Sequence, residues 1–381
     1  MVSRGKKEDV VRTATPDSMK LGAGRFLRFL YWRLRRQPRV APHMLAVLPG
    51  FLWHAVRLSC ISRLSAHGRP RVAIALMDAM GDIIAAEPIA RLARRRYPGA
   101  WICWITRTPF VSLPDSYPDV DRTFGVGCLT EWMLLRNLRL FDVVWDLHHD
   151  GRICLKCCIP LDKPGVLQNE HNYYDHGNLL DMHCDSAGLP RLADGPRSTP
   201  SSAAIASVGA LSLPLRFVAI HCVSSDPRRD WPADKWRQLI AAMRSEDLAI
   251  VEVGLRPLVV AEDGDRQRAL CGKLSILETA EVIRRAALFI GIDSGPAHLA
   301  NAVGTQGVIL LGAYAGFQSY MPYSGGYASG ETATIVRADG PVADLEVAQV
   351  LGAVRAALGR RRSGAIDAAL VRVGEPPDSR H

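Results

Sequence analysis

Two stretches of the chain alternate short apolar runs with amphipathic segments, and this alternation most constrains the fold. The first begins at Arg71 (RVAIALMDAMGDIIAAEPIARLARRRYPGA), where a strand over Val72 to Met77 precedes a helix over Ile83 to Arg96. The second begins at Arg216, with FVAIHCVSS as a strand and ADKWRQLIAAMR as an amphipathic helix. Strands that alternate with helices in this way predict mostly parallel sheets with helices on both faces.

Two such series predict an α/β fold of the GT-B type, in which two Rossmann-like domains face each other across a ligand cleft. A Ser/Pro/Ala-rich segment over 195–214 is interpreted as the linker between them, and 341–359 as the last helix. The predicted divisions are a basic, partly helical N-terminal extension (1–70), an N-terminal acceptor domain (71–212), a C-terminal donor domain (213–360) and a flexible tail (361–381).

Positive charge is concentrated in the N-terminal extension. Residues 1–70 contain 14 Lys or Arg against 3 Asp or Glu, whereas the whole chain carries +9, so the remainder is nearly neutral. This distribution argues against a nucleic-acid-binding surface and for a local anionic partner. Residues 21–39 mix aromatic side chains with six arginines, and 40–56 are uncharged but interrupted by two prolines. Peripheral docking on an anionic membrane, a packed helical extension and a true membrane span are the three alternatives.

Nine cysteines without an evident signal peptide favour a reducing cytoplasm over a disulfide framework. Cys154, Cys157 and Cys158 lie in a segment rich in histidine, and Cys154-x-x-Cys157 has the spacing of metal ligands. No second C-x-x-C completes a set, so core cysteines are the alternative. His171 and His176 are instead candidates for the lining of an acceptor pocket, and no metal is expected to be required.

The segment LFIGIDSGPAHLANAVGTQGVILL over 288–311 predicts a strand, a tight turn, a helix and a second strand. Asp293, Ser294 and Gly295 form the turn, and Pro296 suits the first turn of a helix because no backbone N–H is needed there. A helix N-terminus reached through small polar residues favours a phosphate or diphosphate. An ordinary well-capped crossover is the alternative interpretation.

Two further loops carry candidate chemistry. Met80-Gly81-Asp82 follows the first strand, and Asp82 at the start of the helix is either a capping residue or a general base. In the second half, Ser224 and Ser225 precede Arg228, Arg229 and Trp231. Hydroxyls beside a guanidinium suit anionic oxygens, since Arg pairs bidentately with phosphate, although a solvated turn would have the same composition.

Three of these segments together resemble glycosyltransferase family 9, the ADP-heptose:lipopolysaccharide heptosyltransferases. They are AMGDIIAAEPIARLARRRYP, HCVSSDPRRDWPADKW and AALFIGIDSGPAHLANAVGT, and the resemblance covers roughly residues 71–340 in the order and spacing of the family.

The resemblance implies roles at matching positions. Asp82 would be the catalytic base, and Gly81 and Trp231 would support the loops. Arg229 stands where the family commonly has a Lys that contacts the diphosphate and sugar. The other donor-binding positions would be Ser224, Ser225, Asp293, Ser294, Gly295, Pro296 and His298. Gly254 is followed by Leu255, Arg256 and Pro257, which leaves the family's acidic ribose contact unassigned.

The implied activity is inverting, metal-independent transfer of a sugar from a nucleotide-sugar donor, heptose from ADP-heptose in the family. The acceptor would be a cell-surface glycan or a lipopolysaccharide-type glycolipid, at the cytoplasmic face of the inner membrane. A GT-B sugar-nucleotide epimerase and a non-catalytic, membrane-docked scaffold are the alternatives. The Met-Gly-Asp and Arg-x-Trp-Pro elements favour the transferase.

Overall fold

The computed structural model describes residues 41–243, 248–260, 264 and 266–359. The predictions for the aromatic and basic segment 21–39 and for the tail over 361–381 lie outside these residues. The described chain starts with a helix, α1 (Ala41–Ala66), which continues through Pro49. In the described part of the chain, no helix combines the length and the apolar character that crossing a bilayer requires.

The first half contains a parallel sheet of four strands in the order β3-β2-β1-β4. Its strands are β1 (Arg71–Ala75), β2 (Trp101–Arg107), β3 (Arg122–Val126) and β4 (Val143–Asp146). Ala75, at the end of β1, lies opposite Ile105 on one side and Asp146 on the other. The accompanying helices are α2 (Met80–Ala85), α3 (Glu87–Arg96), α4 (Ser112–Asp115), α5 (Leu129–Leu135) and α6 (Leu179–Ser186).

The second half contains a parallel sheet of six strands in the order β10-β9-β8-β5-β6-β7. These strands are β5 (Phe217–His221), β6 (Ala249–Glu252), β7 (Gln267–Ala269), β8 (Leu288–Ile292), β9 (Gly307–Leu311) and β10 (Ala333–Arg337). The helices are α7 (Ser202–Gly209), α8 (Ala233–Ala242), α9 (Ile276–Arg285), α10 (Gly295–Ala302), α11 (Gly326–Ser329) and α12 (347–359).

Three elements differ from the sequence-based predictions. The single helix expected over Ile83 to Arg96 is two helices that meet at Ala86, because Pro88 cannot donate a helical hydrogen bond and its ring crowds the preceding turn. The segment interpreted as a linker contains α7, whose N-cap Ser201 accepts a hydrogen bond from the Ala204 N–H at 3.2 Å. The last helix begins at residue 347, after a 3₁₀ turn over Val342–Asp344.

The two halves contact each other directly beyond the carboxyl ends of β1 and β8. Helix α2 packs against α10, and glycines at the contact permit the close approach. A Cβ atom on Gly81 would lie 2.8 Å from Cδ2 of His298, and one on Gly295 would overlap the Met80 side chain. The loops that follow the two central strands therefore share one site.

Candidate active site

Asp82 lies in the first turn of α2, at the interface of the two halves. The N-cap residue of this helix is Ala79, which makes no side-chain capping bond, so Asp82 does not fill the N-cap position. Its side chain keeps 24% of its surface exposed, and its Oδ1 lies 3.9 Å from Nε2 of His183. The carboxylate is therefore available to a ligand in the cleft.

The surroundings of Asp82 favour its protonated form. Burial of the carboxyl group, followed by repulsion from Asp78, raises the pKa of Asp82 to about 7. Arg152 opposes this shift, but it is engaged in an ion pair with Asp78. A carboxyl group that titrates near neutral pH can both accept and release a proton under ordinary conditions.

His183 presents a free ring nitrogen to the same space. Its Nδ1 lies 3.0 Å from the Leu147 carbonyl oxygen, which fixes the proton on Nδ1 and leaves Nε2 as an acceptor. Nε2 is buried and has no hydrogen-bond partner among the described residues. Burial lowers the pKa of His183 to about 4, so the ring is neutral near pH 7. The buried Nε2 therefore offers an acceptor to the Asp82 carboxyl group when that group is protonated.

On the opposite side of the cleft, Arg229 is fixed by an acidic and aromatic cluster. Its Nη1 donates to Oδ2 of Asp293 at 2.8 Å, and its Nη2 donates to Ser225 Oγ at 3.2 Å. Tyr320 donates its hydroxyl to the same carboxylate, and the Tyr323 hydroxyl lies 3.4 Å from the other oxygen. Burial opposes the charge on Arg229, but Asp293 together with Tyr320 and Tyr314 outweighs it, and the pKa of Arg229 is raised.

Arg229 also borders an open depression at the carboxyl end of the second sheet. The depression is lined by Arg228, Arg229, Asp293, Leu310, Leu311, Gly312, Ala313, Tyr314, Tyr320 and Val342. The guanidinium carbons of Arg228 and Arg229 lie 5.1 and 5.3 Å from the ring centroid of Tyr314. Two cations over an aromatic ring suit an anionic ligand that carries a flat group.

The loop that carries the two serines is held by its own polar groups. The Ser224 N–H donates to Asp230 Oδ1 at 2.7 Å, and its hydroxyl donates to the Asp226 carbonyl oxygen at 2.6 Å. Trp231 is 1% exposed, and its indole N–H donates to the Leu345 carbonyl oxygen at 3.0 Å. The buried indole thus anchors the end of the loop to the segment before α12.

Helix α10 begins at Gly295, with Ser294 as its N-cap residue. The Ser294 hydroxyl donates to the Ile292 carbonyl oxygen at 3.1 Å instead of capping the helix. The Ala297 and His298 N–H groups donate to the Ser294 carbonyl oxygen at 3.1 and 3.2 Å, so the first-turn N–H group left for another acceptor is that of Gly295. Pro296 occupies the first turn, as expected. His298 is buried, burial lowers its pKa to about 4, and its ring lies 4.7 Å from that of Tyr323.

The two histidines predicted for the acceptor side belong to the segment that precedes α6. The His171 side chain is 84% exposed and its nearest charged neighbour is Glu170. His176 ends the 3₁₀ turn Tyr173–His176. The imidazole next to Asp82 belongs to His183, a residue that sequence reasoning placed only in the cysteine- and histidine-rich segment.

Sequence reasoning also missed an aromatic contact between the halves. The rings of Tyr173 and Tyr174 lie 4.9 and 5.1 Å from Phe317, and Tyr174 lies 4.9 Å from Tyr320. Asp175 accepts a hydrogen bond from the Gln318 N–H at 2.8 Å. The sequence NYYDH was the available signal, because paired aromatic residues in an irregular segment need a surface to pack on.

The loop after β6 has no acidic residue behind its glycine, as the sequence indicated. Glu252, which precedes Gly254, is 1% exposed and accepts hydrogen bonds from the backbone N–H groups of Leu258 and Val260 at 2.7 and 2.8 Å. This carboxylate therefore stabilises the loop itself.

The cysteine prediction needs a correction. Cys158 is exposed, and the third thiol beside Cys154 and Cys157 is that of Cys128, which lies 26 residues earlier in the chain. Cys128 is the N-cap residue of α5, a position that no local spacing pattern could connect to the C-x-x-C turn.

Comparison with known proteins agrees with this geometry. Residues 202–324 match the family model "Glycosyltransferase family 9 (heptosyltransferase)". The chain carries a glycosyltransferase family 9 domain. Lipopolysaccharide heptosyltransferase 3 of Escherichia coli K12 is 22% identical over 280 residues, which are 61% of this chain and 80% of that protein.

Solved structures show the same GT-B fold. The family 9 glycosyltransferase of Veillonella parvula has a TM-score of 0.59 at 17% identity, over 76% of this chain and 97% of that one. The ADP-heptose lipopolysaccharide heptosyltransferase II of E. coli has a TM-score of 0.58 at 19% identity, over 77% and 99%. The predicted fold class is confirmed, and the family model and the curated relative indicate a glycosyltransferase that is similar to heptosyltransferases.

Proposed function

We propose that this glycosyltransferase transfers heptose from ADP-heptose, with inversion and without a metal ion at the reacting centre, to a hydroxyl group of a lipopolysaccharide-type glycolipid. The donor and the acceptor are suggested by the names of the similar proteins. One is a lipopolysaccharide heptosyltransferase. Another is an E. coli heptosyltransferase solved with ADP-2-deoxy-2-fluoro heptose, with a TM-score of 0.51 at 17% identity.

The observation that carries the proposal is the state of Asp82. The Asp82 carboxyl group, which does not occupy the N-cap position of its helix and has a pKa of about 7, faces the donor half of the cleft. In the proposed step, Asp82 accepts the proton of the acceptor hydroxyl while that oxygen bonds to the anomeric carbon. The bond between this carbon and the diphosphate oxygen breaks, and ADP leaves with the electron pair. Attack from the face opposite the leaving group inverts the configuration.

The donor half supplies the charge that the leaving diphosphate needs. Arg229 is held in place by Asp293 and Ser225, so its guanidinium is preorganised for phosphate oxygens. The Ser225 hydroxyl and the Gly295 N–H at the start of α10 are further donors for the diphosphate, whereas Ser224 holds the loop through its bond to the Asp226 carbonyl oxygen. Asp293, Pro296 and His298 shape this end of the site, with Asp293 acting through Arg229.

Metal independence is proposed from the engagement of the carboxylates at the cleft. Asp78 pairs with Arg152, and Asp293 pairs with Arg229 and accepts from Tyr320. A magnesium ion bound to a diphosphate usually needs one or two free carboxylates. Among the described residues, one group of His, Cys, Asp or Glu side chains lies close enough together to bind a metal ion. It consists of Cys128, Cys154 and Cys157, which take no part in the proposed sugar transfer.

Helix α1 supports the proposal of peripheral membrane docking. One side packs on the protein through Val47, Phe51 and Leu58, which are 1%, 7% and 0% exposed. The other side exposes Leu52, Trp53, Val56 and Leu64, with exposures of 60 to 71%. Arg57 lies 5.8 Å from the Trp53 ring, so apolar and cationic groups share this face. Such a face suits the interface of an anionic bilayer, at the cytoplasmic side of the inner membrane.

The decisive experiment offers the purified enzyme ADP-, UDP- and GDP-linked sugars together with a heptose-deficient glycolipid, and follows product mass and anomeric configuration. We expect transfer from ADP-heptose alone and an inverted linkage. Conversion of a nucleotide sugar to its epimer in the absence of an acceptor would instead identify the enzyme as an epimerase. Preference for UDP- or GDP-sugars would overturn the donor assignment.

Membrane docking is tested separately by sedimentation with anionic vesicles. Trp53→Ser combined with Leu64→Ser is expected to weaken binding, whereas Leu215→Ser, which changes a fully exposed leucine outside α1, is the control. Unchanged vesicle binding of the double variant would contradict docking through this helix.

A further inference from the structure

Three buried thiols converge in the first half of the molecule, outside the sugar-transfer machinery described above. The sulfur atoms of Cys128, Cys154 and Cys157 all lie within 4.8 Å of one another. These residues are 5%, 1% and 0% exposed. Cys128 starts α5, whereas the other two belong to a short hairpin that follows β4.

The hairpin over 151–161 presents the thiols of Cys154 and Cys157 to the same side. The Gly151 N–H donates to the Leu161 carbonyl oxygen at 2.9 Å, and the Cys154 N–H donates to that of Ile159 at 2.9 Å. At its tip, the Cys158 N–H donates to the Cys154 carbonyl oxygen at 2.7 Å. This tight C-x-x-C turn is the arrangement that supplies two thiolates to one ion.

Apolar packing supports the second arm of this hairpin, where Ile159 and Leu161 are buried, but it does not support the tip. Its two arms share a single isolated bridge, between Ile153 and Pro160, and Leu155 at the tip is 78% exposed. The buried side chains at the tip are those of Cys154 and Cys157, which lie beside Cys128. A cross-link through sulfur would therefore account for the ordered turn.

We propose that Cys128, Cys154 and Cys157 bind one zinc ion as three thiolates, with a solvent molecule as the fourth ligand, and that this ion cross-links the 151–161 hairpin to α5. Zinc–sulfur bonds of about 2.3 Å in a tetrahedron place sulfur atoms about 3.8 Å apart. The observed cluster reaches this spacing with small side-chain adjustments. Each thiol that still carries its proton on binding releases it to solvent.

The site would act on the cleft through the chain itself. Arg152 lies at the base of the hairpin, where its carbonyl oxygen accepts from the Leu161 N–H at 2.8 Å, and its guanidinium pairs with Asp78. A zinc ion at the tip would hold the hairpin, and with it the arginine that neutralises the carboxylate beside Asp82. The zinc is therefore structural and takes no part in the sugar transfer.

The test is the metal content of the full-length protein purified under reducing conditions. We expect about one zinc ion per chain by elemental analysis. After chelation, reloading with cobalt(II) is expected to give the absorption of thiolate-to-cobalt charge transfer. Cys154→Ser and Cys157→Ser are expected to lose zinc and this absorption, whereas Cys158→Ser, the exposed neighbour in the same turn, keeps both.

The wild-type cobalt spectrum keeps the proposal falsifiable even if a serine variant fails to fold. Absence of both bound zinc and charge-transfer absorption in the folded wild-type protein would overturn it. A disulfide between any two of the three cysteines, found by mass spectrometry of the protein from reducing buffer, would overturn it as well. Equal metal loss in Cys158→Ser would show that the assigned ligands are wrong. None of these outcomes depends on the donor or the acceptor of the enzyme.

Discussion

Two aspartates occupy corresponding places in the two halves of the molecule, yet their surroundings are opposite. Asp82 and Asp293 each lie just beyond the carboxyl end of a central parallel strand. Asp293 is paired with Arg229 at 2.8 Å and also accepts from Tyr320. Among the described residues, Asp82 has no lysine or arginine partner, and Asp78 lies close enough to raise its pKa. A cation partner makes one carboxylate a positioning group, whereas burial together with a like charge makes the other a proton acceptor.

Asp82→Asn gives the sharpest test of this contrast. We expect kcat to fall by roughly 10² to 10⁴, the usual contribution of a general base, while the affinity for ADP stays nearly unchanged. Steady-state kinetics and calorimetric titration with ADP measure the two quantities. Equal losses in turnover and in ADP binding would contradict the assignment of Asp82 as the base.

Asp82→Asn is also expected to change the melting temperature of the protein, and this measurement shows whether the variant is folded. Because the pKa of Asp82 is raised to about 7, ionising it at pH 8 lowers the stability of the native state. The cost builds up between the ordinary Asp pKa of about 4 and the raised pKa of about 7, because over this range the unfolded chain ionises and the native carboxyl group does not. The melting temperature of Asp82→Asn should therefore exceed that of the wild type at pH 8, by a smaller margin at pH 5, and match it only below about pH 4.

Arg229→Ala tests the other half of the contrast. Loss of the charged hydrogen bonds to the diphosphate is expected to weaken ADP binding by about 10- to 150-fold, measured by calorimetry. This change also leaves Asp293 buried without its cation, so Arg229→Ala with Asp293→Asn is the matched control. If the double variant recovers wild-type ADP affinity, the guanidinium does not contact the diphosphate.

The pH dependence of turnover sharpens the role of Asp78. With a pKa of about 7 for Asp82, kcat/KM should fall as the pH drops below 7, because the base becomes protonated. Asp78→Asn removes the like charge and frees Arg152, and both changes favour the ionised form of Asp82. A pKa lower by about one unit would raise the relative rate at pH 6 about fivefold. An unmoved acid limb would show that another group controls it.

The contrast between the two halves also shows what could be read from the sequence. The elements around β8 and α10 were predicted because buried apolar runs, a small polar turn and a helix-compatible proline act locally. The loops that carry Asp82 and Arg229 were predicted in the same way, because they follow the apolar runs of β1 and β5. The ion pair between Arg229 and Asp293 joins two such loops, and only the strand order of the sheet brings them together.

The segment over 147–190 could not be predicted in this way. Its contacts are long-range: Tyr174 packs on Phe317, Arg152 pairs with Asp78, and Cys154 meets Cys128. No periodic pattern marks residues that owe their positions to partners so distant in sequence. Nothing in the local sequence distinguishes the role of His171 from that of His183. Only the path of α6 places His183 beside Asp82.

The comparison of these two histidines supplies the smallest expected effect. His183 Nε2 is a buried acceptor 3.9 Å from Asp82, so it can stabilise the protonated carboxyl group by accepting its hydrogen after a small rotation. His183→Leu would remove this acceptor, reduce kcat by roughly 2- to 10-fold, and move the acid limb of the pH profile to lower pH. His171→Ala, on the surface, should change neither. A purely structural His183 would lower kcat without moving the acid limb, which pH profiles of both variants distinguish.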